Sequence, residues 1–188
     1  HAGNGIGAEV IRASADKDFD LVHTLLEVSF DYSRQYLYGK ATLTMKPHFY
    51  PQYKVILDAK QFDIKEVSLL RDNGTKLPLQ YTYDSVQLKI QLDNRYDAGQ
   101  LLRLFIDYVA KPEERIAGGS AAISSDKGLY FINPLNTDTT KPVQVWTQGE
   151  TESNSCWFPT LDKPNQKSTQ EIYIRHEKKY KSLSNGRL

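Results

Sequence analysis

At 188 residues, with 24 Lys and Arg against 23 Asp and Glu for a formal charge of +1, the chain is long enough for one large domain or two small ones, and so balanced a charge argues against a nucleic-acid surface. No apolar run approaches the ~20 residues needed to cross a bilayer, and the single Cys156 excludes an internal disulfide and reads as a small buried hydrophobe. The chain as given is expected to be soluble, cytoplasmic or secreted. It opens on His1 with no apolar h-region, which leaves two readings open: a leader was removed, or the sequence begins within a longer protein.

Residues 1–18, rich in Gly and Ala, read as a flexible lead-in with a short helical turn over 8–13. From Asp20 the period becomes two. Val22, Thr24, Leu26, Val28 and Phe30 share one strand face, and His23, Glu27 and Ser29 share the other. The next strand, Tyr36 to Lys46, alternates through Tyr36 and Tyr38 and then, with a change of phase at Gly39, through Ala41, Leu43 and Met45. The two are expected to pair antiparallel across the turn DYSRQ.

Pro47 and Pro51 interrupt pairing, and strands resume at Tyr53–Asp58 and Ile64–Leu70. Asp72-Asn73-Gly74 is the strongest hairpin signal in the chain, a two-residue primed turn with positive φ at Asn and Gly. Leu77–Tyr83, Ser85–Leu92 and Gln100–Ala110 complete a meander. Beyond Lys111-Pro112 come a GGSAAISSDKG loop, a short strand at Leu129–Ile132, a second loop, and strands at Val143–Gln148 and Gln170–Arg175. The prediction is an all-β, mostly antiparallel single domain over 19–188.

Trp146 to Ser168 (WTQGETESNSCWFPTLDKPNQKS) interrupts this texture. Two tryptophans, the only cysteine, two prolines and three acidic residues fall within 23 positions. Gly149 lets the backbone turn, leaving Glu150 at a strand end where a carboxylate can face outward. Trp157 and Phe158 supply an apolar anchor, Pro159 stops any helix, and Asp162-Lys163-Pro164-Asn165 has the composition of a rigid turn with Asp162 as its turn or cap residue. The segment is therefore expected to be a loop pinned at its middle, the usual place for a site. Trp146, Trp157 and Phe158 are all assigned to core packing. Asn73-Gly74-Thr75 matches a glycosylation sequon but is explained more simply by the hairpin.

The run TQGE-x7-FP-x2-D-x-PN-x-K-S, at Thr147 to Ser168, resembles the signature near the end of the N-terminal domain of the aminopeptidase N family, the zinc aminopeptidases with an HExxH catalytic domain. The likeness extends to Phe19-Asp20-Leu21, to Gly39 with Thr42-Leu43-Thr44, to VILDAKQFDIKEVSL, and to YKSLSNGRL, similar to an SNG-containing strand. Coverage is Phe19 to Leu188, with two departures: Thr160 where many relatives have Cys after Phe-Pro, and Ser155-Cys156 where many carry Arg.

The resemblance implies a saddle-like β-sandwich and a role for Glu150 in binding the α-amino group of a peptide substrate, with Gln148 on the same strand face supporting it. A carboxylate can make this distinction between a charged N-terminus and an internal amide through a charge-assisted hydrogen bond. It also implies Zn2+ in a full-length parent, held by a catalytic domain of the same chain. No HExxH or GxMEN occurs in the 188 residues, and His1, His23, His48 and His176 have no partner at i+3 or i+4. The expectation is a piece of a larger aminopeptidase, cut before its catalytic domain. Such a piece has no catalytic residue, metal ligand or cofactor of its own and is inactive alone. The alternative is a free-standing β-sandwich that binds carbohydrate or protein through exposed aromatics, the twelve Tyr included. In the first case an apolar patch should lie beside Glu150; in the second, tyrosines should line a groove elsewhere.

Overall fold

The computed structural model describes residues 17–114 and 127–187, so the lead-in's helical turn and most of the GGSAAISSDKG loop lie outside the described residues. Alternating apolar and polar side chains form eleven strands among those residues: β1 (Phe19–Asp31), β2 (Tyr36–Pro47), β3 (Gln52–Asp58), β4 (Phe62–Leu70), β5 (Lys76–Pro78), β6 (Tyr81–Tyr83), β7 (Gln87–Tyr96), β8 (Leu102–Ala110), β9 (Leu129–Ile132), β10 (Gln144–Thr147) and β11 (Thr169–Arg175). A six-stranded sheet runs β11-β1-β2-β8-β4-β5, a three-stranded one β3-β7-β6, and β9 pairs with β10 alone. All pairings are antiparallel except that of β1 with β11. Val55, Leu57, Leu88 and Ile90 from the three-stranded sheet share one buried cluster with Leu26, Leu43, Leu104 and Ile106 from the six-stranded sheet. Two sheets each apolar on one face can bury both faces only by stacking, which makes the β-sandwich.

Several expectations change in detail. Val22 does not face the core: a bulge between Leu21 and His23 inserts one extra residue, so Phe19 and Leu21 point inward before it and Thr24, Leu26 and Val28 after it. β2 keeps a single phase, burying Leu37, Gly39, Ala41, Leu43 and Met45. Gly39 faces inward because the ring of Tyr108, its partner on β8, occupies the space of a side chain: a Cβ there would stand 2.3 Å from Tyr108 Cζ.

Asp72-Asn73-Gly74 closes as a three-residue loop rather than a primed two-residue turn. The Arg71 N–H donates to Thr75 O and the Gly74 N–H to Arg71 O, each at 2.9 Å, and of the three loop residues only Gly74 has positive φ. Asn73 Oδ1 instead accepts from the Thr75 N–H (3.0 Å) and hydroxyl (2.7 Å).

The expected strand Leu77–Tyr83 is two strands in different sheets. Pro78 has no N–H to give the ladder, and after one last bond from the Leu79 N–H to Val67 O (3.0 Å) the chain leaves β4 and crosses to β7. β8 likewise lies between β2 and β4 rather than beside β7, so the order is not a meander. Residues 176–187, which carry the SNG tripeptide, form no strand.

Candidate functional site

Past β10 the chain leaves its sheet, and both Gln148 and Glu150 lie beyond the strand's end rather than on one strand face. The loop from Gln148 to Asp162 is pinned from below. Asp58, at the end of β3, exchanges backbone hydrogen bonds with Thr160 at 2.8 and 3.0 Å, and its Oδ2 accepts from the Asp162 N–H at 3.0 Å. Asp162 Oδ2 in turn accepts from the Ser155 N–H at 2.8 Å, while the Lys60 N–H donates to Ser155 O at 2.8 Å. A 3-10 turn at Asn154–Cys156 carries the buried Ser155 and Cys156, and Trp157 and Phe158 follow into the core, packed edge to face at 4.5 Å. Thus Asp162, Trp157, Phe158 and Cys156 take the structural roles expected of them. Trp146 does not: it is 44% exposed and stacks on Tyr130 at 4.5 Å between ring centroids.

Two glycines set how the upper loop sits. Gly128 (φ +66) accepts from the Gln148 N–H at 2.9 Å, and a Cβ on it would stand 2.1 Å from the Ser153 carbonyl oxygen. Gly149 passes beside the Asn154 side chain and accepts from the Ser153 N–H at 3.0 Å. The fully buried Ser153 donates its hydroxyl to Glu150 O at 3.1 Å, tying the backbone of the acidic residue to the floor of the loop.

On this frame Glu150 is exposed, and among the described residues no hydrogen bond or ion pair engages its carboxylate. Gln148 is exposed beside it. Glu152 is held differently: the Lys163 ammonium donates to both its carboxylate oxygens at 3.1 and 3.0 Å, and Lys60 Nζ donates to its carbonyl at 2.6 Å. The hydrogen bond to Glu152 and its negative charge raise the Lys163 pKa. Asp58, Lys60 and Gly128 are the positioning residues that sequence reasoning missed. Only Gly128, a glycine just before a strand, left a signal there; the other two act from β3 and its exit, about 90 residues away in sequence, as the Lys60–Glu152 separation of 92 makes plain.

Among the described residues, two surface grooves stand out, and Glu150 lines neither of them. One, of about 790 Å3, runs between β10 and the Val28, Phe30, Ile172 and Ile174 side chains of β1 and β11. The other, of about 590 Å3, lies on the outer face of the six-stranded sheet and is lined in part by Tyr38 and Tyr173. Histidines have local partners: His23 Nδ1 lies 2.7 Å from Thr169 Oγ1, and His48 Nδ1 lies 3.0 Å from Asp20. Among the described residues no three His, Cys, Asp or Glu side chains converge as metal ligands, so these residues do not fit a zinc site. No helix among them is long and apolar enough to cross a membrane.

The peptidase M1 N-terminal domain matches residues 17–188. Among solved structures, a two-domain M1 zinc metallopeptidase bound to L-arginine superposes with a TM-score of 0.66 at 18% identity, over 85% of this chain and 33% of that one. The M1 zinc metallopeptidase of Deinococcus radiodurans gives 0.63 at 17%, over 85% and 32%. Leukotriene A4 hydrolase from Saccharomyces cerevisiae gives 0.60 at 22%, over 84% and 23%. Identities this low establish a shared fold, and the chain spans a third or less of the length of these relatives. No curated protein matches the chain.

Proposed function

The chain belongs to the peptidase M1 N-terminal domain family, and from that premise we propose that it is the non-catalytic β domain, 19–188, of a zinc aminopeptidase that removes residues from peptide N-termini, with Glu150 as the anchor for the substrate α-amino group. The observation that carries this reading is the contrast within one loop: of its acidic side chains, Glu150 alone is exposed and unengaged, while the backbone beneath it is fixed by Ser153 and Gly128. A preorganised carboxylate can accept a charge-assisted hydrogen bond without first breaking another. Gln148 supports the same contact. Catalytic residues and zinc ligands come from a further domain of the same chain, where the metal would supply Lewis-acid chemistry. By itself this domain binds no zinc and cleaves nothing.

The exposed Trp146, stacked on the half-buried Tyr130, lies four positions from Glu150 along the chain, and supports the expectation of apolar surface beside the anchor that another domain covers. The outer-face groove with Tyr38 and Tyr173 is the one observation that favours the second reading, a free-standing module for carbohydrate or protein. Family membership weighs for the first.

The test is Glu150→Ala in the full-length parent. A hydrogen bond to a charged group is worth about 1.5–3 kcal/mol, so KM for free-amine peptides should rise roughly 10- to 100-fold while preference over N-acetylated peptides is lost. Unchanged kinetics on both substrates would remove Glu150 from the site.

A further inference from the structure

We propose that Lys163 is a specificity-determining residue, one that neutralises Glu152 so that the loop presents a single open carboxylate, Glu150, to the N-terminus of a peptide; this rests on the reading of Glu150 given above. The run Thr147-Gln148-Gly149-Glu150-Thr151-Glu152 places two exposed acidic side chains two positions apart, with Cα atoms no more than about 7 Å from each other. That is within the ~8 Å over which charges act on one another at physiological ionic strength. Left alone, both would attract a cation.

The structure treats them unequally. Glu152 has positive φ (58°), its carbonyl accepts from Lys60 Nζ and from the Ser155 hydroxyl (3.3 Å), and both carboxylate oxygens lie at hydrogen-bond distance from Lys163. The backbone that carries Lys163 is held, since the preceding Asp162 bridges Asp58 and the Ser155 N–H. Glu150 has none of these partners.

The consequence is a choice among substrates. A peptide beginning with a neutral residue brings one positive charge, its α-ammonium; one beginning with Arg or Lys brings two. A second uncompensated carboxylate would favour the doubly charged ligand. With Glu152 compensated by Lys163, the loop adds no such bias. Removing the Lys163 charge should therefore shift selectivity toward basic N-termini by about two- to threefold, the effect of one unit charge acting over ~8 Å in water.

The experiment compares kcat/KM for Arg- and Leu-initiated peptide amides in the full-length parent carrying Lys163→Gln, Glu152→Gln, both, or Glu150→Ala. Lys163→Gln should raise the Arg-over-Leu ratio two- to threefold at low ionic strength, the rise should shrink in 0.5 M salt, and the double variant should return to the wild-type ratio. An unchanged ratio, an equal loss on both substrates, or a double variant still shifted overturns the proposal. Glu150→Ala separates the two claims: if it abolishes amine preference while Lys163→Gln leaves the ratio alone, only the role of Lys163 fails; if it changes nothing, the anchor itself fails and this proposal with it.

Discussion

Gly128→Ala probes whether the loop depends on a glycine beneath it, and Gly74→Ala supplies the control. Both glycines have positive φ, +66° and +81°, so an added Cβ strains either backbone by about 1–2 kcal/mol. At Gly74 nothing lies within 4 Å and strain is the whole effect. At Gly128 the Cβ would also stand 2.1 Å from Ser153 O and 2.8 Å from Cys156 Cβ, atoms of residues that are almost wholly buried and cannot swing aside. Overpacking of that kind adds about 1–3 kcal/mol, for about 2–5 kcal/mol in all. With a urea dependence of about 2 kcal/mol/M, the unfolding midpoint should fall by about 1–2.5 M for Gly128→Ala and by about 0.5–1 M for Gly74→Ala. Fluorescence of the buried Trp157 reports the transition. In the parent enzyme, Gly128→Ala should also raise KM, because the displaced carbonyl belongs to the residue whose hydroxyl holds Glu150; Gly74→Ala should not. Equal midpoints for the two variants would refute the steric account.

Gly39→Ala should destabilise by about 2–3 kcal/mol through its collision with the Tyr108 ring, whereas Tyr108→Phe should stabilise by about 1 kcal/mol by removing a buried hydroxyl that has no hydrogen-bond partner among the described residues; thermal unfolding of both reads the opposite signs. Burial, followed by the hydrogen bond its hydroxyl donates to Asp93 at 3.0 Å, pushes the Tyr96 phenol up to about 12. A pKa raised on folding stabilises the protein below the unfolded value of ~10 and loses that contribution as pH climbs through the folded one. The stability advantage of wild type over Tyr96→Phe should accordingly shrink between pH 10 and 12, and a constant difference would contradict the assignment. Cys156, buried and single, should react with an aromatic disulfide reagent only as fast as the domain opens; stoichiometric labelling within seconds in native buffer would show the loop to be open.

Much of the strand pattern was legible because a sandwich strand buries one face. Leu129–Ile132 falls where alternation placed it, and β11 differs from its predicted span by a single residue. The failures occur where tertiary packing overrides local pattern. The bulge at Val22 depends on which residue of β2 faces β1, and the inward-facing Gly39 depends on a tyrosine 69 positions later, Tyr108. Pro78 was visible, but that it redirects the chain into a second sheet depends on where β4 and β7 lie. At the site, Gly149, Trp157 and Asp162 could be assigned from residue chemistry, and Glu150 was singled out through family likeness. The clamp of Lys60 and Lys163 on Glu152 was hidden, since a lysine in sequence carries no indication of the carbonyl it will reach.

The parallel seam between β1 and β11 joins residues 146 positions apart, as His23 and Thr169 show. At about 5–20 residues per second on the ribosome, β1 emerges roughly 7–30 s before its neighbour exists. Throughout that interval one flank of a thirteen-residue strand stands open to any passing chain. The acidic loop that precedes β11 is thus made after the other five strands of the six-stranded sheet, and the step that pairs β11 with β1 closes that open margin.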